Sequence, residues 1–338
     1  MTKKFIDPKG DYIFFIPTEW GYRNGMYDAK ETDPNSFELY ENSVGCFQIS
    51  CNPITKGEIP KLIENHKLKS QEIGKIKLEF IEKYVSTDKF DMYLWMAVVN
   101  DKFIMCKYIY DSDKKENKKV KKEIEKAKGC LKTIMVIAEE HKENILASER
   151  FTKFMNSLGA SIDLKNRAYK NGSSIELVVL LANQIDALLR LALILKKQID
   201  NSTDEIDTTL IFQKETDRPI MEKKVYKMAL DEGLLTQNLH DRLSELYNQR
   251  NKVIHRYIIT DLLTKDVMKI VYDYTILEEK VGEIVREYEQ KQFQLKIGIY
   301  GTETPPDNPL DQEAKDRVIG AIKEKHADNR INKDITFE

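Results

Sequence analysis

A chain of 338 residues, 41% of them hydrophobic, exceeds one ordinary domain of about 100 to 200 residues and carries enough apolar side chains for packed cores. Its 54 Lys and Arg against 56 Asp and Glu leave a net charge of -2, which excludes a global positive field for nucleic acid or membrane; phosphate contacts have to be local. Four cysteines without paired spacing, five scattered histidines and no basic-then-apolar opening point to a reducing cytoplasm, no metal site and no cofactor.

The first elements are strands. "YIFFIP" (Tyr12 to Pro17), "GCFQISC" (Gly45 to Cys51), "MYLWMAVV" (Met92 to Val99) and "FIMCKYIY" (Phe103 to Tyr110) are short, aromatic and branched, and bounded by turn formers. "NDK" (Asn100 to Lys102) joins the last two at hairpin length, so they are antiparallel neighbours. Helices to cover the sheet are expected at Glu58 to Leu68 and along Lys114 to His141, where Val120, Ile124, Cys130, Leu131, Ile134 and Ile137 keep a helical period. The opening of the second, Lys114 to Lys128, has eight Lys against three Glu; it reads as a solvated face before it reads as a phosphate site. Trp20 and Trp95 are expected in the core. The succession "YIFFIPTEW", "FELYEN", "GCFQIS", helix and long hairpin resembles the PsbP-like α/β sandwich over residues 5 to 140, a likeness that brings no catalytic group with it.

From Ser148 onward strand signals nearly vanish. "SERFTKFMNSL" opens on a serine cap, and the following helix, "NGSSIELVVLLANQIDALLRLALILKKQI", is apolar almost all round. It is long enough to span a bilayer, but Asn183, Gln184, Asp186 and Arg190 lie in its middle, which favours a buried bundle helix or a dimer interface over a membrane. Helices follow at about Pro219 to Glu232, Thr236 to Ile259 and Leu263 to Gln290, an up-and-down bundle. "GTETPPDNP" (Gly301 to Pro309) then breaks the pattern before one more amphipathic stretch, "LDQEAKDRVIGAIKEKH".

One helix carries an anomaly. At 100° per residue Leu239, Leu243, Leu246, Val253, Ile254 and Tyr257 fall in one arc, and Arg250 lies at its centre. A guanidinium stays charged at any relevant pH, so a buried one needs an anion. Asn251 and His255 share a face at the edge of the arc, with Arg250 and His255 about 140° apart. Two copies meeting across a symmetry axis bring two arginines and two histidines into one cleft.

"RNKVIHRY" has the form R-x-x-x-x-H, with Asn after the Arg, late in a helical domain, and in this resembles the HEPN superfamily over residues 150 to 292. The resemblance implies a dimeric, metal-independent endoribonuclease in which Arg250 holds the scissile phosphate, His255 transfers protons and Asn251 orients phosphate or imidazole. It extends to Tyr257, where a nucleotidyltransferase antitoxin adenylylates the related toxins. Asp186 and Glu176, on the apolar helix, are the acids expected to orient Arg250.

The expected fold class is α+β: an N-terminal antiparallel sheet with covering helices, serving as sensor or regulator over residues 1–146, a HEPN-like α-helical bundle over 147–295, and a Pro-interrupted tail with a short helix over 296–338. The function expected is a toxin or phage-defence ribonuclease of the cytoplasm. Its partners are RNA, a second copy, and an inhibitor, antitoxin or phage-derived trigger, with no membrane. A second reading keeps the bundle as a non-enzymatic dimerisation or nucleotide-binding platform; a third makes Ser174 to Leu195 a membrane segment.

Overall fold

The computed structural model describes residues 2–24, 30, 32–74, 77–213, 217–301, 319 and 325. The chain divides into two compact units, Met1–Leu146 and Ala147–Glu338. The first carries a large mainly antiparallel sheet; the second is helical.

In the first unit the strands are β1 (Thr2–Ile6), β2 (Tyr12–Pro17), β3 (Trp20–Tyr22), β4 (Asn35–Leu39), β5 (Cys46–Pro53), β6 (Ser70–Gln71), β7 (Ile81–Ser86), β8 (Phe90–Val99), β9 (Lys102–Asp111) and β10 (Met135–Val136). Helices α1 (Ile59–His66) and α2 (Lys118–Leu131) complete it. A seven-stranded sheet runs β3-β4-β5-β9-β8-β6 with β7 also on β8, and a second sheet runs β1-β2-β10. Every pairing is antiparallel except the short β6 with β8. The β8–β9 hairpin, turned by Asn100 at φ 50°, alternates two ways: Trp95, Val99, Ile104 and Cys106 enter one core while Met96, Val98 and Met105 face another. The first core gathers Phe14, Phe37, Phe47 and the inner face of α2; the second is closed by Ile59 and Ile63 of α1. Both tryptophans are buried as expected, and each indole N–H donates to a carboxylate, Trp20 to Glu123 at 2.6 Å and Trp95 to Glu82 at 2.7 Å.

The expected helix from Lys114 to His141 is shorter. It ends at Leu131, and Ile134 and Val136 are buried around β10, which pairs with β2. An alternating apolar run that finds a strand partner far away in the chain follows that partner and not the helical period. The lysine run is a balanced surface: Lys121 pairs with Glu116, Lys126 with Glu19 and Glu123, Lys128 with Glu82, and Lys114 with Asp111.

The second unit contains α3 (Lys142–Asn171, whose first turns belong to the other unit), α4 (Ser174–Asp200), α5 (Glu222–Asp231), α6 (Gln237–Arg256) and α7 (Thr264–Leu295). Ser148 lies inside α3 and caps nothing, because the helix has already begun at Lys142. Gly172, at φ 66°, ends α3 in the left-handed conformation that favours glycine. α4 is the axis of the bundle, packed by α5, α6 and α7 and buried on most sides. Its length and composition suit a membrane, yet 67% of its most apolar window is covered by the protein itself. Each buried Leu or Ile contributes about 1.5–3 kcal/mol, and α4 has nine, so this helix dominates the core energetics. Polar register pins tie the bundle: Gln184 donates to Ser161 at 3.1 Å, and the fully buried Gln292 donates to Gln198 at 2.8 Å. The expected tail helix over 310–326 falls outside the described residues, apart from positions 319 and 325.

Candidate active site around Arg250

α6 begins at Thr236, whose hydroxyl accepts the Leu239 N–H at 3.3 Å, and buries Leu243, Leu246 and Val253. Arg250 lies in that line, its side chain only 15% exposed. Its Nη1 pairs with Oε2 of Glu222, the first residue of α5, itself 12% exposed. The other Glu222 oxygen accepts from the Tyr226 hydroxyl one turn on. Arg250 Nη2 donates to the Asn251 side chain at 3.3 Å, and the guanidinium carbon stands 4.7 Å from the Tyr247 ring centre. Lys223 Nζ is 4.8 Å from the same ring and donates to Asn248.

The first turn of α5 is itself clamped. Arg190 of α4 donates to the carbonyls of Leu210 at 2.8 Å and Ile220 at 2.7 Å, and its Nε pairs with Asp186 at 2.7 Å. The chain entering α5 is thus held two residues before Glu222. A carboxylate in the first turn of a helix also meets the positive end of the helix dipole.

Burial raises the Glu222 pKa above the usual carboxylate value; the Tyr226 and Arg250 contacts pull it back, and nearby Asp186 adds to the rise. Burial works against the charge on Arg250, but Glu222 outweighs it and holds the guanidinium still more firmly protonated. Tyr226 and Tyr274 are pushed up by burial and then by Glu222, so both stay neutral donors. Three buried polar atoms of this cluster make no hydrogen bond among the described residues: Arg250 Nε, Asp186 Oδ1 and the Tyr274 hydroxyl.

The expected site residues are therefore only partly assembled within one chain. Arg250 and Asn251 touch, whereas His255 is exposed and not bonded to Arg250. Tyr257 stands past the end of α6 in the 3-10 turn Tyr257–Ile259, its hydroxyl 3.2 Å from Thr264 Oγ1. Ile254, placed in the buried arc by ideal projection, is 42% exposed. The acids expected to orient Arg250 do not: Asp186 pairs with Arg190 four residues on, and Glu176 is exposed at the start of α4. Glu222 takes that place. It escaped notice although it shares a face with Val225, Tyr226 and Ala229, all buried, and so is an acid on an apolar stripe just as Arg250 is a base on one. Around His255 the surface is aliphatic, with Ile258 94%, Ile259 78% and Leu263 52% exposed. Among the described residues no group of three His, Cys, Asp or Glu is placed to hold a metal ion.

No known family's profile matches the chain, and no curated protein matches it. Among solved structures, a crystal structure from Bacteroides thetaiotaomicron is 13% identical at a TM-score of 0.30, covering 55% of this chain and 76% of its own. A solution structure of cyanobacterial PsbP (CyanoP) from Synechocystis is 12% identical at a TM-score of 0.24, covering 40% of this chain and 92% of its own. Likenesses this slight carry no conclusion about activity.

Proposed function

We propose that the helical unit is a HEPN-type endoribonuclease working as a homodimer, with the first unit as its sensor or regulator. The observation that carries this reading is Arg250: a permanently charged fork kept on a buried helix stripe, bonded to Asn251, one and a half turns before an exposed His255. In the reaction Arg250 binds the scissile phosphate and offsets the charge that develops on it. His255 accepts the proton of the ribose 2′-OH as that oxygen attacks phosphorus, and a protonated His255 delivers a proton to the departing 5′-oxygen. The products are a 2′,3′-cyclic phosphate and a 5′-hydroxyl. Since Arg250 and His255 do not converge within one chain, a second copy docked on the aliphatic surface at Ile258, Ile259 and Leu263 supplies the complementary pair.

Asn251 keeps the phosphate-binding fork in plane, and Tyr257, beside the site and half-exposed, is the position where adenylylation by an antitoxin introduces a blocking phosphate. The setting is a cytoplasmic toxin or phage-defence system with an inhibitor or phage-derived trigger as a further partner. One observation favours the non-enzymatic platform instead: Arg250 already has a buried carboxylate partner in Glu222, as a structural bridge requires.

Induction of wild type, Arg250→Ala and His255→Ala in a bacterial host separates the two. Growth arrest with new RNA ends carrying 2′,3′-cyclic phosphate, absent in both variants at equal protein level, is the expected result. Arrest that survives both substitutions removes the nuclease assignment of these residues.

A further inference from the structure

Arg250 is held by a residue outside the motif, and the way it is held leaves a particular edge of the guanidinium without an anion. Glu222 engages Nη1 alone. Nη2 meets only the neutral Asn251 amide oxygen, at 3.3 Å, and Nε has no partner among the described residues. Nε and Nη2 are the two parallel donors of the side-on fork that matches two oxygens of a phosphate. Arginine–carboxylate bridges are frequently two-pronged; here Glu222 takes one donor of Arg250, and its second oxygen accepts from Tyr226.

We infer that Glu222, fixed by Tyr226 and by the Arg190 clamp on Ile220, is the positioning residue of the phosphate site, holding Arg250 by one corner so that its Nε–Nη2 edge receives the oxygens of a backbone phosphate. This rests on the ribonuclease reading for the identity of the anion, a phosphodiester of single-stranded RNA. The Nε atom is shielded from solvent, so the guanidinium turns outward about its Nη1 contact when the phosphate arrives. Asp186, another acid near the cluster, is paired within α4 to Nε of Arg190 at 2.7 Å.

Charge and position then pull a Glu222→Gln variant in opposite directions. Removing a negative charge several ångströms from the phosphate strengthens RNA binding, by about fivefold at ordinary salt. Losing the ionic tether loosens the guanidinium and slows turnover by tenfold or more. A merely structural role produces no such split.

The test uses the full-length protein and a fluorescein-labelled single-stranded RNA of mixed sequence. Anisotropy titrations are run on wild type, Glu222→Gln, Arg250→Ala and the double variant, and single-turnover cleavage on the first two, with melting curves to verify folding. The expected result is tighter binding with slower cleavage for Glu222→Gln, and no tightening in the Arg250→Ala background. Unchanged binding and cleavage in a folded Glu222→Gln protein overturns the inference, as does RNA binding that is indifferent to Arg250. Tyr226→Phe, which keeps the charge of Glu222 but frees its second oxygen to compete for the Arg250 edge, is expected to weaken RNA binding and slow cleavage; if Glu222→Gln does not fold, this variant decides, and unchanged binding and cleavage in it overturn the inference. If no RNA is cut by the wild type, Arg250-dependent tightening of binding still supports the positioning role while the nuclease reading falls.

Discussion

Replacing Glu222 by alanine leaves Arg250 with a buried charge it cannot shed. The two side chains are 12% and 15% exposed, so the loss sits near the lower end of the 3–5 kcal/mol typical of breaking a buried pair, about 3 kcal/mol. The Tyr226 hydroxyl is orphaned at the same time, which costs about 1 kcal/mol more. A total near 4 kcal/mol lowers the melting temperature of a helical unit of this size by roughly 12 °C. The converse change, Arg250→Ala, costs less, about 2 kcal/mol, because a buried carboxylate escapes its isolation by taking up a proton and a guanidinium has no such route. Glu222→Met with Arg250→Met, filling both places with apolar groups, returns to within about 1 kcal/mol of wild type. Far-ultraviolet circular dichroism follows the helical unit, while tryptophan emission, whose two sources Trp20 and Trp95 both lie in Met1–Leu146, reports the other unit and is expected to stay put. Equal penalties for the two alanine variants, or additive ones in the double variant, would refute the picture of a charge held by one buried partner.

Three further outcomes are expected. Burial alone raises the Asp11 carboxyl, but the ammonium groups of Lys102 and Lys142 outweigh it and hold its pKa below the ordinary 3.8; the stability this lends is present above that value and lost as pH falls through the folded one, so in acid titrations followed by tryptophan emission Asp11→Asn flattens the loss at its lower end. Gly298 has φ 79° and an added Cβ would come within 2.3 Å of the fully buried Gln292, so Gly298→Ala destabilises the helical unit by about 2 kcal/mol or more, read from its melting curve. Ile258→Glu with Ile259→Glu changes side chains that are exposed in the single chain, so circular dichroism shows the helical fold kept while sedimentation shows monomer and any RNA cleavage disappears; a dimer that survives both changes removes this surface from the interface.

Local pattern made much of the molecule legible. The β8–β9 hairpin, the apolar α4 and the amphipathic α6 each declare themselves through a period, since which residues share a face depends only on the pitch of the helix or the pleat of the strand. Arg250 was visible for the same reason, as a charge on the wrong stripe. Short strands such as β1, β7 and β10 were not, because a strand of two to six residues owes its existence to a neighbour. The partner of Arg250 belongs to that second kind of fact. Asp186 was the plausible acid on the apolar helix, yet Arg190 lies four residues on and takes it locally. Glu222 reaches Arg250 across 28 residues only because the Arg190 clamp sets where α5 starts and the bundle sets how far it slides along α6. The sequence by itself determined that a buried base existed and required an anion; which acid answers it, and that His255 is left facing outward, was decided by the register between helices, a quantity no single helix contains.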